Sequence, residues 1–203
     1  GNEVTGLILD NGDLYMLYTD ISGSRLGGVI HGTSTITDLT LKSNNTKDYS
    51  VEGYGILNAS VSATVSPSES LNGGITYENG YTEPFTLAYD NYYDLTPSIE
   101  MITGDFLGEI NTSLGYEMAA FRVSSDGTVV GIGETGCKVI GTASPHKSGN
   151  LYNVSLTFDR ETCTFGGQLF NGIIFYNSYN GTITSAIQNR DRSEGILYFA
   201  DKQ

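Results

Sequence analysis

Tryptophan is absent from these 203 residues, and histidine and cysteine occur only twice each. Without tryptophan the chain lacks a common platform for stacking sugars. With only His31 and His146 there is no His-x-x-x-His pair, and the cysteines form no Cys-x-x-Cys, so local zinc-ligand spacing is missing. His31 lies in a Gly/Thr-rich strand and His146 follows Pro145, and both read as structural or exposed side chains. No Gly-x-Ser-x-Gly elbow, P-loop or dinucleotide fingerprint occurs. Neither a cofactor nor a metal is expected.

Basic residues are scarce: ten face 23 acidic ones, for a net charge of -13. Binding nucleic acid through its phosphates needs clustered Lys and Arg, and no such cluster exists, so nucleic acid is excluded as a partner. Anionic membrane surfaces are disfavoured for the same reason. The charge is uneven, with 12 acidic and 3 basic side chains in residues 1–97 and 11 and 7 in the remainder. This reads as a solvated, solubilising surface. The sharper alternative is attraction to cations or to a basic partner. No apolar run approaches membrane-spanning length, and no export signal is present. The start at Gly1-Asn2, without methionine, reads as a trimmed chain. A removed export signal carrying a lipid-anchor cysteine is compatible with it and would be its only link to a membrane.

Glycine (26) and tyrosine (14) are plentiful, alongside Thr, Ser and Asn, while charged residues make up only 16%. Thr and Tyr suit strands and Gly and Asn suit turns, so the composition is that of an all-β protein. Period-two alternation dominates. Strands are expected at 6–10 and 14–19 around Asp10-Asn11-Gly12-Asp13, at 121–124 and 128–132 around Ser125-Asp126-Gly127, and at 74–77 and 85–89 around Glu78-Asn79-Gly80. Others are expected at 27–36, 56–65, 103–110, 138–143, 151–158, 163–170, 172–177, 182–187 and 195–200. Only 92–102 has helical character, with Pro97 at a first helical position and Thr103-Gly104 as its stop. So many short strands argue for an antiparallel barrel or sandwich.

Cys137 and Cys163 lie 26 residues apart in Gly-rich text. In a Lys-poor β protein the pair fits a disulfide and an exported, oxidising setting. The alternative is two separately buried thiols.

Three matches occur in the same order in both halves: 7–12 with 121–127, 28–33 with 137–142, and 62–74 with 155–167. They point to two internally similar halves, 2–94 and 95–203, either as two units or as one continuous domain. The shrinking offset between the matches implies a longer loop around 39–55 in the first half. The cysteines belong to the second half, their counterparts in the first being Gly28 and Ser70.

Carboxylates that could serve a hydrolase are numerous (Asp10, Asp13, Glu52, Glu109, Glu117, Glu134), but no pair is distinguished by sequence. Asp10–Asp13 reads as a turn rather than a calcium loop. The candidate binding surface is the segment containing Tyr89, Tyr92, Tyr93 and Asp94, which offers rigid aromatic area and hydrogen bonds together. Its alternative is a linker pinned by its tyrosines. The stretch 176–181 is a second such patch, and 188–195 reads as a charged turn. The Asn-x-Ser/Thr triplets at Asn44, Asn58, Asn111, Asn153 and Asn180 are of the number chance supplies.

The stretch from Gly136 through Cys137-Lys138-Val139-Ile140-Gly141-Thr142, the strand at 150–158 and the closing 191–199 resemble uncharacterised bacterial envelope proteins, many of them predicted lipoproteins. The resemblance covers the C-terminal half. It implies an exported, lipid-tethered β protein of the cell envelope and transfers no catalytic residues. The functional expectation is a non-enzymatic extracytoplasmic module for a protein or small ligand. A structural or adhesive surface protein is the alternative, with a hydrolase third, and the oligomeric state is left open.

Overall fold

The computed structural model describes residues 3–20, 22–23 and 26–203; the Gly1-Asn2 start lies outside them. The chain divides into two compact units, one ending at Asn91 and one spanning Tyr92–Gln203. Both are antiparallel β meanders, and the two halves are similar.

The first unit holds β1 (Val4–Ile8), β2 (Asp13–Thr19), β3 (Leu26–Thr33), β4 (Thr35–Thr37), β5 (Thr40–Ser50), β6 (Ile56–Ser66), β7 (Ser70–Tyr77) and β8 (Thr82–Ala88). Pairing runs β1-β2-β3-β5-β6-β7-β8, with β4 also on β5. The sheet curls into a nearly closed barrel. Its first and last strands approach so closely that a side chain at Gly6 would sit 2.6 Å from Leu87 Cδ1, yet among the described residues no ladder joins β1 to β8. Leu14, Ile30, Leu41, Val61, Leu71 and Phe85 belong to its hydrophobic core.

The second unit opens with a 3-10 turn (Asn91–Asp94) and α1 (Ile99–Ile102). Eight strands follow: β9 (Gly104–Thr112), β10 (Gly115–Val123), β11 (Thr128–Gly133), β12 (Lys138–Pro145), β13 (Leu151–Phe158), β14 (Leu169–Asn177), β15 (Thr182–Asn189) and β16 (Gly195–Lys202). They form a closed barrel because β9 pairs with both β10 and β16. Its interior is filled by Phe106, Phe121, Tyr152, Phe158, Phe170 and Tyr198 among others. Tyr152 is fully buried, its hydroxyl donates to the Ser98 carbonyl at 3.0 Å, and burial pushes its pKa up to about 12.

Among the described residues the pairing path of the first unit has seven strands and the closed barrel of the second has eight. The hairpin β1–β2 corresponds to β10–β11, and β3 to β12, as the first two sequence matches imply. β9, the strand that seals the second barrel, precedes this series, and among the described residues none pairs in that position in the first unit. The third match is out of step by one strand, because by order β5 takes the place of β13 while the match sets β6 there.

Three other expectations need correction. Residues 40–50 are not loop but β5. Its inward positions Ser43, Thr46 and Asp48 are polar, and a bulge between Ser43 and Thr46 breaks the alternation, so the hydrophobic period is invisible. Residues 163–168 are not strand. Consecutive turns, Gly166 N–H to the Cys163 carbonyl and Gln168 N–H to the Phe165 carbonyl, delay β14 until Leu169. Pro97 does not start the helix: Ser98 is still extended and serves as the N-cap position, so α1 begins at Ile99.

Candidate functional site

A cavity of about 1150 Å³ in the first unit is lined by residues of β1, β2, β3, β5, β6, β7 and β8. Its floor is apolar, formed by Met16, Ile30, Ile75, Phe85 and Leu87. Its wall carries a buried carboxylate, Asp48, with only 4% of its surface exposed.

The register of the sheet assembles this wall. Asp48 on β5 is paired with Ile30 on β3. Tyr18 on β2 stands opposite Gly28 on β3 and crosses it to reach β5, where its hydroxyl donates to Asp48 Oδ1 at 2.7 Å. A Cβ at position 28 would lie 2.2 Å from the Tyr18 hydroxyl, so glycine is what lets the ring pass. From the other side Tyr77 on β7 reaches past the small Ala59 on β6, and its hydroxyl donates to Asp48 Oδ2 at 2.9 Å.

Burial raises the pKa of the Asp48 carboxyl, an effect only partly offset by the two phenol hydrogen bonds. Burial and the adjoining carboxylate push Tyr18 and Tyr77 well above the usual phenol range, so both remain donors near neutral pH. At the exposed rim stand Glu52, Tyr54, Glu78, Tyr81 and Glu83. Tyr81 stacks on Tyr77 with ring centroids 6.4 Å apart and hydrogen-bonds Glu83. Five carboxylates (Glu3, Asp48, Glu52, Glu78, Glu83) and four tyrosines line the cavity, and among the described residues no Lys, Arg or His does.

Among the carboxylates singled out from sequence, Glu52 is on this rim. Asp13 closes the β1–β2 turn, where its backbone N–H donates to Asn11 Oδ1. Glu117 borders a smaller cavity of about 300 Å³ at one end of the second barrel and accepts from the Thr135 N–H. The charged turn at 188–195 contributes Glu194, which is buried and accepts from both the backbone and the hydroxyl of Ser113.

The tyrosine segment straddles the boundary between the units. Tyr89 ends the first unit and is exposed; Tyr92, Tyr93 and Asp94 begin the second. The Tyr92 hydroxyl lies 2.8 Å from Ser178 Oγ, accepts from the Ser178 N–H at 2.7 Å and contacts the Tyr176 carbonyl at 3.2 Å. Its ring packs on Phe175 and Tyr179. The Tyr93 carbonyl accepts from the Asn150 N–H. Tyr92 therefore ties the 3-10 turn to the β14–β15 hairpin. Tyr92→Phe is expected to cost about 0.5–1.5 kcal/mol in denaturant unfolding of the second unit, because the hydrogen bonds between its hydroxyl and Ser178 are lost.

Cys137 and Cys163 form a disulfide with Cα atoms 4.5 Å apart. It fastens the 159–167 loop to the end of β11–β12. Phe165 on that loop packs against Phe158 and Phe170 at the end of the core.

Sequence reading missed Tyr18, Asp48 and Tyr77. The one available signal was the alternation Thr46-x-Asp48-x-Ser50, which is strand-like but polar on its buried face.

No family model matches the chain, and no curated protein does. The crystal structure of the glycoside hydrolase, family 43 YxiA protein from Bacillus licheniformis is similar to it with a TM-score of 0.36 and 9% identity, covering 98% of this chain and 67% of that one.

Proposed function

We propose that this chain is an extracytoplasmic binding module that takes a small ligand into the cavity of its N-terminal barrel. The supporting observation is the open barrel itself: a large apolar-floored space with one buried carboxylate held between two phenols. Ligand sites are concave, mostly apolar and marked by a few convergent polar groups. Binding is favoured over catalysis because both Asp48 oxygens are engaged by phenols and both phenols stay protonated near neutral pH. The Cys137–Cys163 disulfide is compatible with an oxidising compartment, in keeping with an exported protein of the cell envelope.

A matched set of probes tests this reading: 4-phenylbutylammonium, 4-phenylbutanol and 4-phenylbutanoate, followed by ligand-observed NMR. At least one is expected to bind, and Ile75→Trp, which fills the floor of the cavity, is expected to abolish that binding while the circular dichroism spectrum is retained. Binding by none of the three, or binding unaffected by Ile75→Trp, overturns the reading. The structural or adhesive alternative would use the outer wall of the second barrel, where Leu107, Val130, Ile132 and Ile140 are exposed on neighbouring strands. A wall contact of that kind is indifferent to Ile75→Trp.

A further inference from the structure

We propose that the cavity of the N-terminal barrel selects an organic cation, an ammonium group joined to an apolar body. This rests on the binding role proposed above and specifies its ligand class.

The lining is one-signed. Glu3, Asp48, Glu52, Glu78 and Glu83 contribute carboxylates, and among the described lining residues none is basic. An anionic ligand would enter against that whole set. A neutral ligand would leave Asp48 buried and uncompensated, an expensive condition for a carboxylate at 4% exposure. A cation relieves both. Tyr18 and Tyr77 donate to Asp48, so the remaining lone pairs on the carboxylate and on the Tyr77 oxygen are acceptors for an N–H donor, while the Tyr18 oxygen is already bonded by Ser50. The stacked Tyr77 and Tyr81 rings add negative aromatic faces that attract cations.

A bare metal ion fits poorly. A hard divalent cation requires six to eight oxygens close together. Here the other four carboxylates are exposed, and the floor is hydrocarbon. The space and its apolar floor call for an organic body behind the charge. The unevenness of the sequence agrees: residues 1–97 hold 12 acidic side chains and only 3 basic ones.

Isothermal titration calorimetry with the same three probes is the test. The expected order is ammonium tightest, by at least tenfold over the alcohol, with the carboxylate weakest. Asp48→Asn is expected to remove most of that tenfold preference while leaving affinity for the alcohol within about twofold. Glu83→Gln, an exposed substitution that spares the fold, is expected to weaken the ammonium probe two- to threefold at low salt and to have no effect at 0.5 M salt. If the alcohol or the carboxylate binds as tightly as the amine, and Ile75→Trp still blocks it, cation selection is overturned while the cavity remains a binding site. If nothing binds, both proposals fall. A preference for the amine that survives Asp48→Asn also overturns the inference.

Discussion

Asp48→Asn is expected to stabilise the first unit at pH 7, by about 1 kcal/mol or roughly 5 °C in melting temperature. The amide can still accept from one phenol and can donate to the other, so the hydrogen-bond geometry survives. What disappears is the cost of holding a charge out of water. The folded-state pKa of Asp48 is raised, with burial as the largest cause, and Glu52 adds to the increase. Between the unfolded carboxyl value of about 3.9 and that raised value, the native state binds the extra proton. Stability from this group is therefore fully present below the unfolded value, falls as pH rises through the folded value, and is flat above it. The two phenols bonded to Asp48 keep their charge state across this window, since both titrate far above it. Thermal melts from pH 4 to pH 8 should show this decline in the parent chain and a smaller one in the variant. Asp48→Ala should instead lose about 1–3 kcal/mol, because both phenols are left without an acceptor. If Asp48→Asn is as damaging as Asp48→Ala, the carboxylate serves stability and not ligand. A charge kept at a cost to the free protein is the mark of a functional group.

Removing the disulfide should have the largest effect on stability. The double variant Cys137→Ser, Cys163→Ser opens a loop of 26 residues. The chain-entropy model assigns that loop about 3.5 kcal/mol, which for a unit of this size lowers the melting temperature by roughly 10–15 °C. The loss should be confined to the second unit, because both cysteines lie in Tyr92–Gln203. Denaturant titration with and without reductant, read beside the intact mass, separates this from a general effect. Hydrogen exchange should show the earliest opening in residues 159–167, where Phe165 relies on the brace to stay against Phe158 and Phe170. Unchanged stability on reduction would mean that the apolar contacts of that loop suffice.

Much of the fold is legible in the sequence because its signals are local. The Asn11-Gly12, Asp126-Gly127 and Asn79-Gly80 pairs mark three hairpins, and each glycine has a positive φ of between 82° and 89°. Alternation places the strands from Lys138 to Phe158 and from Thr182 to Lys202 within a few residues. The cysteine pairing follows from count and context. The candidate site was not legible. Asp48 lies on a strand whose buried face is polar, and polarity on a buried face removes the pattern by which strands are recognised. Tyr18 and Tyr77 are, in sequence, two among fourteen tyrosines.

The sequence by itself determined the class of this protein: β strands with glycine turns, two related halves, a cysteine pair in the second, and an acidic first half. Those properties depend on residues near one another in the chain or on simple totals. Only the three-dimensional fold shows that β9 closes the second barrel while, among the described residues, no ladder closes the first. It also brought Tyr18, Asp48 and Tyr77, 59 positions apart from first to last, onto one wall. Closure and site both depend on which strand lies beside which and in what register, and register is fixed by the packed sheet as a whole rather than by any one segment.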